Sequence, residues 1–182
     1  MKENPQFIPS GSQTVGPFFT IGLDYMANRV PNVAAAAPGT VEISGRVLDS
    51  TGNPVRDALL EFWTSQSAAH QDGFPGGFYR IRTGDDGRYC VSLQKPESGP
   101  YPGGGRQAPH LLVLVFCRGL LRNLVTRVYF GHEPTNDADP ILLSVDSERR
   151  PTLIAQRISG RSDAFEWNIV LQGADETVFF AW

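Results

Sequence analysis

The stretch TVEISGRVLDSTGNP, residues 40–54, decides the fold class of this chain. Hydrophobic side chains recur at Val41, Ile43 and Val47 between polar ones, with the period of two that a half-buried β-strand requires. The segment closes with Ser-Thr-Gly-Asn-Pro, residues 50–54, a composition typical of a tight turn. We therefore expect a strand followed by a sharp return of the chain.

The same pattern of β-prone segments bounded by turn residues continues toward the carboxyl end. We expect further strands at Ala58–Trp63, Arg88–Leu93, Leu111–Phe116, Leu124–Phe130, Thr152–Ile158, Phe165–Leu171 and Thr177–Phe180. Leu111–Phe116 is a continuous apolar run and is predicted to be buried on both faces of its sheet. Residues 139–150 leave room for one short helix. The sequence thus predicts a mainly β protein, a sandwich or barrel rather than an α/β layout.

The first 39 residues have a different character. They are rich in proline and glycine, contain an alanine run at residues 34–37, and keep neither the period of two nor that of 3.6. We interpret residues 1–39 as an extended amino-terminal arm with one helical turn around Gly22–Asn28. Residues 40–182 then form a β-sandwich domain, and the chain is a single domain overall.

Composition narrows the possible partners and compartment. The 182 residues carry a net charge of −3 and no Lys/Arg cluster longer than Arg149-Arg150, which argues against nucleic acid. The two cysteines, Cys90 and Cys117, lie in strand-like apolar runs and are predicted to be buried thiols in a reducing compartment. We expect neither a leader segment nor a membrane span, and a cytoplasmic location.

The histidines do not have the spacing of a metal site. His70, His110 and His132 are far apart in sequence, so no two of them lie on one strand or helix face as a cation would need. His110 begins the apolar run, where a histidine bonded to a main-chain carbonyl is the ordinary expectation. We also find no nucleophile motif, and Gly103-Gly104-Gly105 is predicted to be a plain loop.

Two arginines differ in their predicted roles. Arg118 follows the apolar run directly and precedes Gly119, so it is expected at a strand end, where a pocket rim could lie. A guanidinium there could bind a carboxylate with two hydrogen bonds, although a solvated charge is the commoner outcome. Arg127 lies within a predicted strand, on the same face as Val125 and Tyr129, and is interpreted as structural.

The segment Ser12-Gln13-Thr14-Val15-Gly16-Pro17-Phe18-Phe19 resembles the S-Q-T-x-G-P-[YF] arm motif of the intradiol aromatic-ring dioxygenases. Further segments resemble the same family in chain order, so the resemblance covers nearly the whole chain. These segments are residues 45–49, 55–63, 108–110, 116–119, 126–130, 149–155 and 172–180. The resemblance implies the β-sandwich of that family.

The resemblance also implies that this chain holds no metal. The iron-bearing chains of the family bind a ferric ion through two tyrosines and two histidines, the histidines in a P-x-H-x-H strand motif. Here that stretch reads Ala108-Pro109-His110-Leu111-Leu112, so a leucine stands at the second histidine position. The first tyrosine position falls near His70 or Gln71, and Tyr101 resembles the second. We expect Fe(III) in a partner beta-type subunit and this chain to be the metal-free alpha-type subunit.

The implied activity is the opening of a catechol ring, with protocatechuate (3,4-dihydroxybenzoate) and O₂ as substrates and 3-carboxy-cis,cis-muconate as product. The resemblance places five residues of this chain beside the substrate carboxylate: Thr14, Gly16, Pro17, Phe18 and Arg118. Phe18 replaces the commoner tyrosine and so keeps an apolar wall without its hydroxyl. No residue of this chain is expected to be catalytic.

Two other hypotheses remain open from the sequence. The first is a solitary β-sandwich that binds a small carboxylate or a peptide without catalysis. The second is a different metalloenzyme whose ligands, His70, Tyr101 and His110, converge from separate loops.

Overall fold

The computed structural model describes residues 10–16, 19, 21–23, 38–64 and 77–181. Within these residues the chain is mainly β, as the sequence predicts. The strands are β1 (Thr40–Leu48), β2 (Leu59–Trp63), β3 (Phe78–Arg82), β4 (Arg88–Gln94), β5 (Gly99–Pro100), β6 (Arg106–Gln107), β7 (His110–Phe116), β8 (Leu124–Phe130), β9 (Ile154–Arg157), β10 (Ala164–Glu166) and β11 (Ile169–Val170).

Strands β5 and β6 form a separate hairpin, and the other strands form two layers that β9 joins. In one layer β1 pairs antiparallel with β4 and parallel with β10 and β11. In the other layer β7 lies between β2 and β8, both antiparallel, and β3 continues beyond β2. Strand β9 pairs with β8 on one side and β10 on the other, so the sheet wraps around a common interior. The expected sandwich architecture is therefore confirmed.

Alternation along the strands builds the hydrophobic core between the layers. In β7 the residues Leu111, Val113 and Val115 are fully buried and pack against residues of β1, β2 and β4, while the intervening residues are only half-buried. The prediction that this run is buried on both faces is thus wrong for the outer face. A second, smaller cluster of buried residues covers part of that outer face at Tyr129 and Leu153.

Three helical segments flank the sheets. They are a 3₁₀-helix at Pro134–Ala138, the short α-helix α1 at Pro140–Leu143 and a 3₁₀-helix at Arg150–Leu153. Asp139 begins α1, because its side chain accepts hydrogen bonds from the Ile141 and Leu142 amides. The helix expected in residues 139–150 is confirmed. Among the residues that the structure describes, no helix reaches the length and apolarity needed to span a bilayer.

One strand was missed in the sequence, and one predicted strand is not formed. Phe78–Arg82, which the sequence reading missed, is strand β3. Thr177–Phe180, which was expected to be a strand, forms no ladder: the Thr177 amide donates to Val170 and the Phe180 amide to Val125, so the segment bridges two different strands.

The prediction of two buried thiols holds for only one of them. Cys117 is buried, but Cys90 is exposed, because it lies between the buried residues Tyr89 and Val91 and so points away from the core. Both cysteines are free thiols.

In the arm, residues 19 and 21–23 are helical, which overlaps the start of the predicted helical turn around Gly22–Asn28. The remainder of that turn, Pro17, Phe18 and the alanine run 34–37 lie outside the described residues, as do His70 and Gln71.

Candidate functional site

The end of β7 brings Arg118 next to the amino-terminal arm. After Phe116 the chain leaves the sheet and turns at Gly119, whose φ of 94° suits glycine. The Gly119 amide donates a hydrogen bond of 2.8 Å to the hydroxyl of Thr14. Two of the predicted site residues, 104 positions apart in the sequence, are therefore brought together at one edge of the sheet. We call Thr14, Gly16 and Arg118 the arm cluster.

The arm cluster presents hydrogen-bond donors to its surroundings. The Arg118 side chain is 46% exposed, and its Nη2 lies 3.6 Å from Oδ2 of Asp57. A pair this long and this exposed stabilises little, so it leaves the guanidinium available to another anion. The Thr14 oxygen accepts from Gly119, which leaves its own O–H free to donate. Both groups suit a carboxylate.

The cluster does not enclose a cavity with its own side chains. Thr14, Gly16 and Arg118 are all exposed. The Gly16 carbonyl accepts a hydrogen bond from the Phe19 amide, and the Phe19 ring packs 5.6 Å from that of Phe116. A neighbouring cavity of about 600 Å³ is lined by Gln13, Val15, Phe19, Phe116, Cys117 and other residues, but not by the three members of the cluster. Pro17 and Phe18 cannot be placed, because they lie outside the described residues.

A second group of polar side chains lies on the outer face of the β2–β7–β8 layer. Trp63 pairs with Leu112 across β2 and β7, and Leu112 pairs with Arg127 across β7 and β8. Cross-strand partners share a face, so these three side chains form one row. The row is one wall of a cavity of about 550 Å³, which we call the strand pocket. Its lining residues are Trp63, Thr64, Glu97, Gly99, Pro100, Gln107, His110, Leu112 and Arg127.

His110 is held in one orientation in the strand pocket. Its Nδ1 lies 2.7 Å from the carbonyl oxygen of Ala108, so Nδ1 carries the proton and donates. Its ring packs 5.5 Å from the Tyr129 ring. Burial lowers the pKa of His110, with a further lowering from the charge of Arg127 and an opposing effect from the bond to Ala108. The imidazole is therefore neutral near pH 7, and its Nε2 can accept a hydrogen bond.

Asp139 holds in place the two residues that contact His110, which are Ala108 and Tyr129. Its carboxylate is fully buried and accepts hydrogen bonds from the Ala108 amide at 2.8 Å and from the Tyr129 hydroxyl at 3.1 Å. Burial is also the main reason why the pKa of Tyr129 is raised far above its ordinary value. The phenol of Tyr129 is therefore a neutral donor to Asp139, not a tyrosinate of the kind that binds iron.

The residues of the strand pocket do not fit a ferric ion. Leu112 offers no donor atom at the second histidine position, and the permanently charged guanidinium of Arg127 stands directly across from it. Tyr101 is not among the residues that line this pocket, and His70 lies outside the described residues. The described part of the chain also contains no group of three His, Cys, Asp or Glu side chains that could hold a metal.

Sequence reasoning did not predict that Arg127 and Trp63 line one pocket. Arg127 was interpreted as structural; it does donate to Gln107 at 2.7 Å, but it also lines the pocket beside Leu112. A partial signal was present, because Arg127 is a charged residue inside a predicted strand. The register that aligns it with Trp63 could not be read from the sequence alone.

Comparison with known proteins places this geometry in a family. The family described as Dioxygenase matches residues 15–173. The protocatechuate 3,4-dioxygenase alpha chain of Burkholderia cepacia is 39% identical, over 93% of this chain and 95% of that one. The beta chain from the same organism is 30% identical, over 92% of this chain and 77% of that one.

A solved structure is similar over the whole chain. The dioxygenase domain of a dioxygenase carbohydrate-binding protein fusion from Streptomyces sp. SirexAA-E superposes with a TM-score of 0.60 at 26% identity, covering 96% of this chain and 97% of that one. The family match, which runs from Val15 to Gly173, confirms the resemblance noted in the sequence. This chain belongs to the intradiol dioxygenase family, and its homologues include protocatechuate 3,4-dioxygenase alpha chains.

Proposed function

We propose that this chain is the iron-free alpha-type subunit of an enzyme that opens the ring of protocatechuate with O₂ to give 3-carboxy-cis,cis-muconate, both oxygen atoms entering the product. The observation that carries the proposal is the hydrogen bond between Thr14 and Gly119, which sets two exposed donors, the Thr14 hydroxyl and the Arg118 guanidinium, at one edge of the sheet.

In this proposal the chain binds and orients the substrate. Arg118 and Thr14 hold the substrate carboxylate, because a guanidinium and a hydroxyl both donate to carboxylate oxygens. Gly16 and Pro17 let the main chain approach the ring, and Phe18 provides an apolar wall. A ferric ion in the partner beta-type subunit supplies the activation of the catechol toward O₂. The contribution of this chain is a fixed position for the ring relative to that centre.

The open form of the arm cluster supports an assembly with a partner. Its three described residues are exposed, so the surface of a partner laid over them would enclose a ligand. We propose that the arm, residues 1–39, drapes over the beta-type subunit, and that residues 40–182 form the β-sandwich domain that carries it. The two free thiols are consistent with the cytoplasm, where we place the assembly.

A non-catalytic binding module for a small carboxylate or a peptide shares the same donors at Thr14 and Arg118. The two proposals differ in what they require of a partner, because a binding module acts without iron. The test below separates them.

The experiment measures iron content, mass and ring-cleaving activity on this chain purified alone and after co-expression with an intradiol beta-type chain. We expect iron, a larger assembly and activity on protocatechuate only in the co-expressed sample. Iron bound stoichiometrically by the lone chain overturns the proposal and favours a metal site within this chain. Failure of the two chains to associate favours the solitary binding module instead.

A further inference from the structure

We infer that the strand pocket is a second ligand site, one that binds a small planar carboxylate in place of a metal ion. The inference concerns residues of β2, β7 and β8 and does not depend on the role of the arm cluster. It starts from two polar groups whose hydrogen-bonding capacity the described structure leaves partly unused.

The guanidinium of Arg127 is the first of these groups. Its Nη1 donates to Gln107 at 2.7 Å and approaches the Tyr129 hydroxyl at 3.4 Å, so the side chain is fixed in position. No carboxylate among the described residues lies within ion-pairing distance of Arg127, although Glu97 lines the same cavity. A guanidinium has five N–H donors, and most of those of Arg127 are left for a ligand. Arg127 reaches the buried carboxylate of Asp139 through the Tyr129 hydroxyl and makes no direct ion pair among the described residues, so its remaining donors favour an anionic ligand.

The indole of Trp63 is the second group. Its Nε1–H is buried and has no hydrogen-bond partner among the described residues, which is costly for a polar group removed from water. The ring itself is held against Phe78, with 4.4 Å between the ring centroids. Trp63 is in the same cross-strand row as Arg127, with Leu112 between them. The indole and the guanidinium thus stand in the wall of the same cavity.

The remaining walls favour a ring over a simple inorganic anion. Leu112 and Pro100 offer apolar surface against which a flat ring can pack. The cavity of about 550 Å³ is within the range of small-molecule sites. A water molecule could not neutralise Arg127, whereas a planar carboxylate pairs with the guanidinium and also contacts the apolar wall.

The test is equilibrium dialysis of benzoate against the full chain in its assembly, with benzamide as the neutral isostere. In addition to benzoate bound through Arg118 at the arm cluster, we expect a saturable class of benzoate sites, one per copy of this chain, to which benzamide binds at least about tenfold more weakly because it lacks the charge. Arg127→Gln should weaken this class by about tenfold or more. The matched control is Arg88→Gln, which removes an exposed arginine on β4, far from the pocket in the strand order, and should leave the affinity unchanged.

A second variant guards against loss of folding in Arg127→Gln. Trp63→Phe keeps an aromatic ring but removes the N–H together with part of the indole, and we expect about a threefold or greater loss of benzoate affinity in a chain that stays folded by circular dichroism. The same class of sites should persist in Arg118→Gln, which separates this inference from the proposed function of the arm cluster. Absence of a saturable class in Arg118→Gln, or wild-type affinity in both Arg127→Gln and Trp63→Phe, overturns the inference.

Discussion

The strand pocket and the arm cluster both present hydrogen-bond donors, but the structure supports them in different ways. The strand pocket is built on three adjacent strands. Beside it, the buried carboxylate of Asp139 accepts hydrogen bonds from the Ala108 amide and the Tyr129 hydroxyl. The arm cluster rests on a single described hydrogen bond to the arm and an ion pair of 3.6 Å. The first is thus part of the folded core, while the second is an exposed edge whose shape another surface can complete.

The largest expected effect is on the support of the strand pocket. Asp139 is fully buried and accepts hydrogen bonds from three main-chain amides and the Tyr129 hydroxyl. Asp139→Ala leaves these donors without an acceptor and removes the cap of α1, so we expect the free energy of unfolding to fall by about 3 kcal/mol. Urea denaturation followed by tryptophan fluorescence measures this change.

The matched control for that variant is Asp137→Ala, in which an exposed carboxylate two residues earlier is removed. We expect it to stay within about 0.5 kcal/mol of the wild type. Equal stability of the two variants would show that the buried network around Asp139 does not hold this region together.

The second prediction concerns the arm cluster and appears in activity instead of stability. Arg118→Ala removes the guanidinium that we propose binds the substrate carboxylate, so kcat/KM for protocatechuate should fall by about tenfold or more. The value for plain catechol, which has no carboxylate, should change little. Steady-state kinetics of the assembled enzyme on both substrates checks this.

Arg122→Ala serves as the control for Arg118, because it is an exposed arginine four residues further along the same connection. It should leave the preference for protocatechuate as it is in the wild type. Equal losses on both substrates in Arg118→Ala would remove the carboxylate role from that residue.

The third prediction uses the neutral imidazole of the strand pocket. Because burial lowers the pKa of His110 below its ordinary value of 6.5, the unfolded chain takes up this proton at a higher pH than the folded chain. As the pH falls through about 6.5, the unfolded state therefore binds more protons than the folded state. His110 thus lowers the free energy of unfolding on acidification. Wild-type stability should thus decline more steeply between pH 7.5 and pH 5.5 than that of His110→Gln. Identical slopes would contradict a lowered pKa.

Much of the fold could be predicted from local patterns, and the errors have local causes. The exposure of Cys90 follows from its place between Tyr89 and Val91, so the strand period that predicted β4 also contained the correct answer. Phe78–Arg82 has β-prone residues that sequence reading overlooked. Thr177–Phe180 has equally β-prone residues, yet its amides bond to two separate strands, a long-range arrangement that propensity does not encode.

The two candidate sites were predictable to different degrees. Arg118 could be placed at a strand end because the apolar run before it is unmistakable, and the resemblance identified Thr14. Their approach through Gly119 depends on how the arm returns to the sheet, which no local pattern contains. The row of Trp63, Leu112 and Arg127 depends on the register of three strands, and the sequence fixes the face of each residue but not its cross-strand neighbour.

The smallest expected change in stability is at Thr14. A small change there would set the exposed arm cluster apart from the strand pocket, which is part of the folded core. The Thr14 hydroxyl is exposed, so water replaces its bond to Gly119 when Thr14→Val removes it, and the free energy of unfolding should stay within about 0.5 kcal/mol of the wild type. The same variant should raise KM for protocatechuate, because the arm loses both its attachment beside Arg118 and a donor to the substrate, and Thr14→Ser should restore it. A large fall in stability would mean that the arm is part of the folded core, and the distinction between an enclosed pocket and an open edge would no longer hold.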